Sequence, residues 1–409
     1  VITSDLRPMP GTPRPHSLMI MMWKSRKITR RSFVAAALLT AFAVPQLPAV
    51  AAAATVPAVA PAAPGRAGTE TPDRLPAPTG KEPVGTKTLH LVDTSRPDPW
   101  KPAAGKRELM VTLWYPARHQ GDRNAPYMSK QLSKAWLGKE DLAGMRTNAT
   151  AGARPAGKPR PLVVLSPGFG MSRASLTGLG EDLASRGYAV AAVDHTYEAP
   201  VEFPGGRIEA CEICQKYDLL PAVVPNRSKD IRFLLDQLTG PRSPLAVDAR
   251  RIAVAGHSIG GASAVQALHD DPRVDAAVNL DGNFFGELAG GVNKPVLLMG
   301  AQRGELAEPK ANWEQTWKQL TGWKRWLDVP EGGHMTFTDA PWLADRFGLP
   351  DGTPPADVKR GYGTLHGPRS AALTRAYVGA FLDRHLRGTP SPLLDRPSPA
   401  YPEVTFLQK

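Results

Sequence analysis

The sequence predicts an α/β fold, one open and mostly parallel sheet of eight strands with helices on both faces. Three observations carry the prediction. From about Lys87 onward, short apolar runs alternate with amphipathic stretches. Several of these runs are apolar at every position, as in strands covered on both faces. One of them, Ile252-Ala253-Val254-Ala255, leads directly into a glycine-flanked turn and then a helix-forming stretch.

The strands are expected at Thr88–Val92, Leu109–Tyr115, Leu162–Ser166, Ala189–Asp194, Ile252–His257, Ala276–Asp281, Val296–Gly300 and Trp323–Val329. Helices are expected around Leu176–Arg186, Lys229–Leu238, Gly260–His269, Asn312–Leu320 and Ala371–Leu386. Two apolar stripes recur at helical spacing, Ile231, Leu234, Leu235, Leu238 and Leu373, Tyr377, Ala380, Phe381, and belong to the core. Two stretches break the alternation, 118–160 and 340–367. Their Gly, Pro and scattered aromatics fit loops or short helices over a site entrance, or surface insertions without a role. After Leu386 a Pro-rich tail is expected to run along the surface to Lys409.

The first eighty or so residues read differently. Thr29-Arg30-Arg31-Ser32-Phe33-Val34 places an arginine pair in a basic patch, followed by an uncharged run from Ser32 to Val44 and small-residue cleavage choices at Ala49-Val50-Ala51 and Ala51-Ala52-Ala53. This is the pattern of a twin-arginine export signal, so residues 1–54 are expected to direct secretion. The run of thirteen residues is short for a bilayer span, which needs about 20. A start nearer Met19, Met21 or Met22 would give a more usual leader. Residues 55–86 are rich in Ala and Pro and are expected to be a linker, leaving 87–409 as the α/β domain with its C-terminal surface tail.

The formal net charge of +12 is concentrated at the front. Residues 1–54 hold seven Lys/Arg and one acid, half of that excess. No basic cluster interleaved with aromatics remains, which opposes a nucleic-acid partner; transient contact with an anionic lipid surface stays compatible with the mild residual charge. The two cysteines form Cys211-Glu212-Ile213-Cys214. A zinc site needs four ligands and no second pair exists, so a local disulfide or two free thiols are the readings left open.

The turn after the fifth strand is Gly256-His257-Ser258-Ile259-Gly260-Gly261. Strand, sharp turn and helix with a serine at the apex form a nucleophile elbow, which marks the α/β-hydrolase fold. The bland alternative is a βα turn whose serine caps the helix. A serine hydroxyl needs a base, and the base needs a partner that fixes its tautomer. Of nine histidines, only His334 sits on the loop directly after the last strand, in Glu331-Gly332-Gly333-His334. His257 is expected to point away from the nucleophile, and His195 is a candidate to support the site from behind. Two acids are open: Asp281, emerging directly from the sixth strand, and Glu305, several residues into the loop after the seventh. Asp281 is favoured because the strand would hold it rigidly. The oxyanion donors are expected to be the amides of Ile259 and of Phe169, in Ser166-Pro167-Gly168-Phe169-Gly170. Phe284 and Phe285, with Phe169 and Ile259, are expected to line an acyl pocket.

Pro161 to Gly170, Gly256 to Gly261, Leu280-Asp281-Gly282, and Gly333-His334 with Phe337-Thr338-Asp339 together resemble the secreted platelet-activating factor acetylhydrolase family, in a bacterial version. The resemblance spans roughly residues 87–390. It implies a calcium-independent esterase that needs no cofactor and removes short or oxidised acyl chains from phospholipids or similar esters. It also implies Asp281 as the acid. Asn283-Phe284-Phe285 and Ser166-Pro167-Gly168 depart from that family's usual residues, which bears on acyl specificity. Bacterial polyester hydrolases and lipases are related in design and form the nearest competing reading. A non-catalytic binding protein on the same fold is opposed by the presence of serine, histidine and acid together.

Overall fold

The computed structural model describes residues 74–408 apart from 140, 287, 303–306 and 350–351. The expected export signal of residues 1–54, the front of the linker and Glu305 therefore lie outside the described residues.

Thirteen strands are described: β1 (Val84–Pro97), β2 (Lys106–Pro116), β3 (Asn124–Pro126), β4 (Arg146–Ala151), β5 (Arg160–Ser166), β6 (Ala189–His195), β7 (Val201–Glu202), β8 (Ile208–Glu209), β9 (Val247–His257), β10 (Ala276–Leu280), β11 (Val296–Ala301), β12 (Lys324–Val329) and β13 (Thr405–Gln408). The helices are α1 (Lys130–Leu137), α2 (Thr177–Ser185), α3 (Leu220–Thr239), α4 (Ile259–Asp270), α5 (Ala307–Trp317), α6 (Ala340–Phe347), α7 (Pro355–Tyr362) and α8 (Gly367–Arg387). The main sheet has eleven strands in the order β13-β12-β11-β10-β9-β5-β6-β2-β1-β4-β3. The eight expected strands form its contiguous centre, from β12 to β1. Strands β6, β5, β9, β10, β11 and β12 run parallel, and β2 joins them antiparallel through β6.

The parity of side chains explains the continuous apolar runs. Leu162 and Val164 of β5 point into a cluster with Ile231 and Leu234 of α3, Val265 of α4 and Trp313 of α5. Val163 and Leu165 point the other way, to Leu179 and Leu183 of α2 and Tyr377 and Phe381 of α8. Each parallel strand is thus buried twice, and no polar alternation survives.

Several expectations shift at their edges. The linker assigned to 55–86 ends earlier, because residues from Arg74 pack on the sheet. Leu75 is buried and donates its amide to Arg146, Thr79 donates to Asp182, and β1 begins at Val84. Polar anchoring rather than apolar periodicity holds this segment, so it carries no pattern in the sequence. The tail is more than a surface run: Leu394 and Val404 are buried, and β13 adds an antiparallel edge strand to β12. Helix α3 starts nine residues before the expected Lys229, at Leu220. Pro221 sits in its first turn, where a missing N–H costs nothing, and Pro225 removes a single hydrogen bond just beyond.

Candidate active site

Strand β9 delivers the chain to Ser258, and α4 leaves from Ile259. Ser258 takes φ 55° and ψ −131°, a conformation that L-residues rarely adopt. Its neighbours over-determine it. The Ser258 amide donates to Leu280 O at 2.8 Å, and its carbonyl accepts from Gly261 N at 2.8 Å. A Cβ at Gly256 would lie 2.2 Å from Gly260 O, and one at Gly260 would lie 2.1 Å from Ser166 O. Only glycine fits at either flank, and the serine is pushed out at the apex.

The other two residues come from the ends of later strands. Asp281 follows β10 with φ 58°. It is anchored by its amide on Met299 O, and its Oδ1 accepts from Ala301 N at 3.0 Å. Asn279 closes the same turn, accepting from Gly282 N at 2.7 Å and donating to Gly282 O at 2.9 Å. His334 sits in the loop after β12. The structure brings the three together: His334 Nδ1 lies 2.6 Å from Asp281 Oδ2, and His334 Nε2 lies 3.0 Å from Ser258 Oγ. With Nδ1–H donating to the carboxylate, Nε2 is left with its lone pair facing the serine hydroxyl.

The histidine loop is held from three sides. Its amides at His334 and Met335 donate to Arg360 O and Gly361 O of α7, at 2.8 and 2.7 Å. Gln302, which follows β11 with φ 57°, donates from Nε2 to Gly332 O at 2.6 Å and to Lys359 O at 3.1 Å. His257 donates from Nε2 to His334 O at 2.7 Å. Burial first, and the neighbouring His334 second, push the His257 imidazole down to about 3, so it is neutral. It thereby supports the backbone of the histidine that faces the serine hydroxyl.

The loop after β5 carries Phe169. Among the described residues, neither the Phe169 amide nor the Ile259 amide donates to a protein acceptor. The two segments touch, since a Cβ at Gly260 would also meet Pro167 O at 2.5 Å. Phe169, Ile259 and Phe284 are buried in one apolar cluster, and half-buried Phe285 packs against it. Asn312 fixes Phe284 by accepting from its amide at 2.8 Å and donating to its carbonyl at 3.0 Å. A separate cavity of about 450 Å³, lined by Thr86, Trp114, Tyr127 and Arg173 among others, is not bordered by Ser258, Asp281 or His334.

Both stretches that break the α/β alternation contain short helices that brace these loops. From 118–160, Trp136 of α1 donates Nε1–H to Gly170 O at 3.0 Å. From 340–367, α7 supplies the carbonyls that hold His334. Cys211 and Cys214 are joined in a disulfide. Cys214 Sγ lies 3.8 Å from where a Gly170 Cβ would sit, so the bridged loop also flanks the Phe169 segment.

Sequence reasoning missed Gln302, Arg227 and Glu198. The positive φ of Gln302 leaves no mark on its residue type. Arg227 lies in the front half of α3 that the prolines disguised. His195 was singled out and is buried, bonded to Asp230 and Ser166.

An open, mostly parallel sheet with a serine elbow, an acid after a later strand and a histidine after β12 defines an α/β-hydrolase. A family model described as platelet-activating factor acetylhydrolase, isoform II, matches residues 68–201, and one described as PET hydrolase-like matches residues 153–349. A probable 1-alkyl-2-acetylglycerophosphocholine esterase from Arthroderma benhamiae is 30% identical over 370 residues, covering 81% of this chain and 93% of that protein. Cutinase est1 of Thermobifida alba is 24% identical over 220 residues, 52% of this chain and 65% of its own. A solved ferulic acid esterase from Streptomyces cinnamoneus is 68% identical with a TM-score of 0.81, covering 83% of this chain and 100% of that one. The chain belongs to the platelet-activating factor acetylhydrolase-like family of α/β-hydrolases, and it is a carboxylic ester hydrolase.

Proposed function

We propose that the chain is an exported serine esterase in which Ser258 is the nucleophile, His334 the general base and acid, and Asp281 the residue that orients His334. The observation that carries this reading is the unbroken hydrogen-bond chain from Asp281 through His334 to Ser258, at 2.6 and 3.0 Å, ending on a strained elbow. Ser258 Oγ attacks the ester carbonyl as His334 Nε2 takes its proton. The carbonyl oxygen becomes an oxyanion held by the amides of Phe169 and Ile259. His334 then protonates the departing alcohol as the carbon–oxygen bond breaks. Water, deprotonated by His334, cleaves the acyl-enzyme and frees Ser258. The twin-arginine pattern at Arg30-Arg31 supports the export part of the reading.

For the acyl group, the 68% identity to a ferulic acid esterase supports an aromatic hydroxycinnamoyl ester. The buried Phe169, Ile259 and Phe284 with Phe285 suit a flat, apolar acyl group. A second reading, short or oxidised acyl chains on a phospholipid with transient contact at a lipid surface, is supported by the relative at 30% identity over nearly its whole length. The test is one panel on mature protein: methyl ferulate, p-nitrophenyl esters from acetate to palmitate, phosphatidylcholine with a short or oxidised chain, and a polyester film. The highest kcat/KM is expected on methyl ferulate, and Ser258→Ala should lose about 10⁴-fold or more on every substrate. A preference for the phospholipid moves the substrate to the second reading, while sustained long-chain or film hydrolysis points to a cutinase-like enzyme. A Ser258→Ala variant that keeps its activity would overturn the mechanism.

A further inference from the structure

Behind the Phe169 loop lies a buried ionic cluster that the proposed chemistry does not use. Arg107, Arg227, Asp98, Glu198, Asp230 and His195 are all buried. Asp230 takes a bidentate pair from Arg107, at 3.0 and 2.7 Å, and accepts from His195 Nδ1 at 2.7 Å. His195 Nε2 faces Ser166 Oγ at 2.9 Å. The order acid, histidine, serine copies the arrangement at Ser258. Its serine is fully buried, and Arg227 Nη1 lies 3.3 Å from the Ser166 hydroxyl as a donor. With its proton directed to His195, a lone pair taken by Arg227 and its side chain fully buried, Ser166 is a link in a scaffold.

Two contacts of this cluster bear on the reaction. Arg227 donates from Nε to Glu198 Oε2 at 2.6 Å and from Nη1 to Pro167 O. The backbone carbonyl of Glu198 accepts from Gly170 N at 2.9 Å. Its other carboxylate oxygen, Oε1, is held by Trp100 Nε1 at 3.0 Å. One ion pair therefore grips the chain on both shoulders of Phe169: the peptide plane two residues before it through Arg227, and the peptide just after it through Glu198. Rotation of the Gly168–Phe169 peptide, which carries the amide expected to meet the oxyanion, is restrained from both ends. An oxyanion donor must be aimed before reaction, and an error of about 1 Å is costly. A flat guanidinium suits the task because it spans a carboxylate and a carbonyl at once, which an ammonium does less well.

We propose that Glu198 and Arg227 are positioning residues that aim the Phe169 amide at the oxyanion, with Ser166, His195, Asp230 and Arg107 as the frame that keeps Arg227 in place. This rests on the serine esterase reading above and adds the source of its oxyanion geometry. Burial of the cluster keeps His195 neutral, with its ordinary value lowered by burial first and by Arg227 second, so the frame needs no titration to hold.

The test compares wild type with Arg227→Lys and with the charge-free pair Glu198→Gln/Arg227→Gln, which leaves no lone buried charge. Three readouts decide: kcat and KM on p-nitrophenyl acetate, affinity for a phenylboronic acid that forms a tetrahedral adduct, and stoichiometric labelling by a fluorophosphonate. In the pair variant kcat should fall by about 10–100-fold, short of the 10²–10³ typical for losing a donor outright. KM should stay within about threefold, and boronate affinity should weaken in step with kcat. Arg227→Lys, which keeps the charge but gathers its donors on a single nitrogen, should recover part of that loss. Labelling should still reach completion, since Ser258, His334 and Asp281 are untouched. A folded variant with wild-type kcat, or one whose kcat falls while boronate affinity holds, overturns the proposal. If the pair variant does not fold, Arg227→Lys decides by the same two criteria. Failure of the esterase reading itself looks different: wild type would neither hydrolyse the ester nor take the label.

Discussion

Replacing Asp281 by asparagine tests the assignment of the acid most directly, and the structure sets the size of the effect. Asp281 Oδ1 accepts from the Ala301 amide at 3.0 Å, and Oδ2 faces His334 Nδ1 at 2.6 Å. An asparagine that keeps its carbonyl on Ala301 turns its NH₂ toward His334. The imidazole must then accept at Nδ1 and carry its proton on Nε2, where it has no lone pair for the Ser258 hydroxyl. The reversed amide restores the tautomer but sets two donors, the NH₂ and Ala301 N–H, against each other. That arrangement costs about 1–3 kcal/mol, a loss of roughly 10–100-fold in competent molecules. Loss of the carboxylate charge beside the imidazolium adds a factor of roughly 10–10³, the usual range for an adjacent opposite charge. Together these give about 10²–10⁵, centred near the 10⁴ known for such changes in serine proteases. In Asp281→Asn, kcat on p-nitrophenyl acetate should drop by that amount, with KM and the circular-dichroism melt close to wild type. A folded Asp281→Asn enzyme within tenfold of wild-type kcat would refute the reasoning, and an inactive Glu305→Gln beside it would move the acid to Glu305.

Gly260→Ala would place a methyl 2.1 Å from Ser166 O and 2.5 Å from Pro167 O, both backbone atoms. The elbow and the Phe169 loop must separate, so kcat should fall by about 10² or more, with a lower melting temperature from about 1–3 kcal/mol of overpacking; unchanged kinetics would contradict the close approach. Asp339, which accepts from Gly178 N and Tyr127 Oη, is pushed up to about 7, chiefly by burial. Because the folded value lies above the unfolded 3.8, its contribution is full below about pH 4 and is lost as pH rises through 7, about 4 kcal/mol at the limit. Asp339→Asn should flatten that part of the profile, so urea unfolding at pH 5 and pH 8 should show the variant gaining on wild type at the higher pH. An equal pH slope in both proteins would count against it.

How much of this was legible in the residues follows from range. The eight central strands and the elbow rest on local patterns: apolar runs for strands with two buried faces, and glycines where a Cβ has no room. His334 and Asp281 were found because a parallel sheet presents the ends of its strands along one edge, so position after a strand nearly fixes location. The strand-like segments β3, β4 and β13 escaped because they are short and sit at the sheet edges or, for β4, next to one, where only part of each is covered. Helix α3 was cut short by Pro221 and Pro225, whose effect depends on where in the helix they fall. The segment from Arg74 to Pro83 has polar anchors on distant residues and no period to read.

The letters alone contained the fold class, the nucleophile turn and the two residues that line up with Ser258, since each depends on near neighbours in the chain. The aim of the site came from elsewhere. Gln302 and α7 hold the histidine loop, His257 props it, and Glu198 with Arg227 grips the loop of Phe169. These contacts join residues far apart in sequence through single directional hydrogen bonds, and a hydrogen bond depends on where two atoms meet, which residue type does not record.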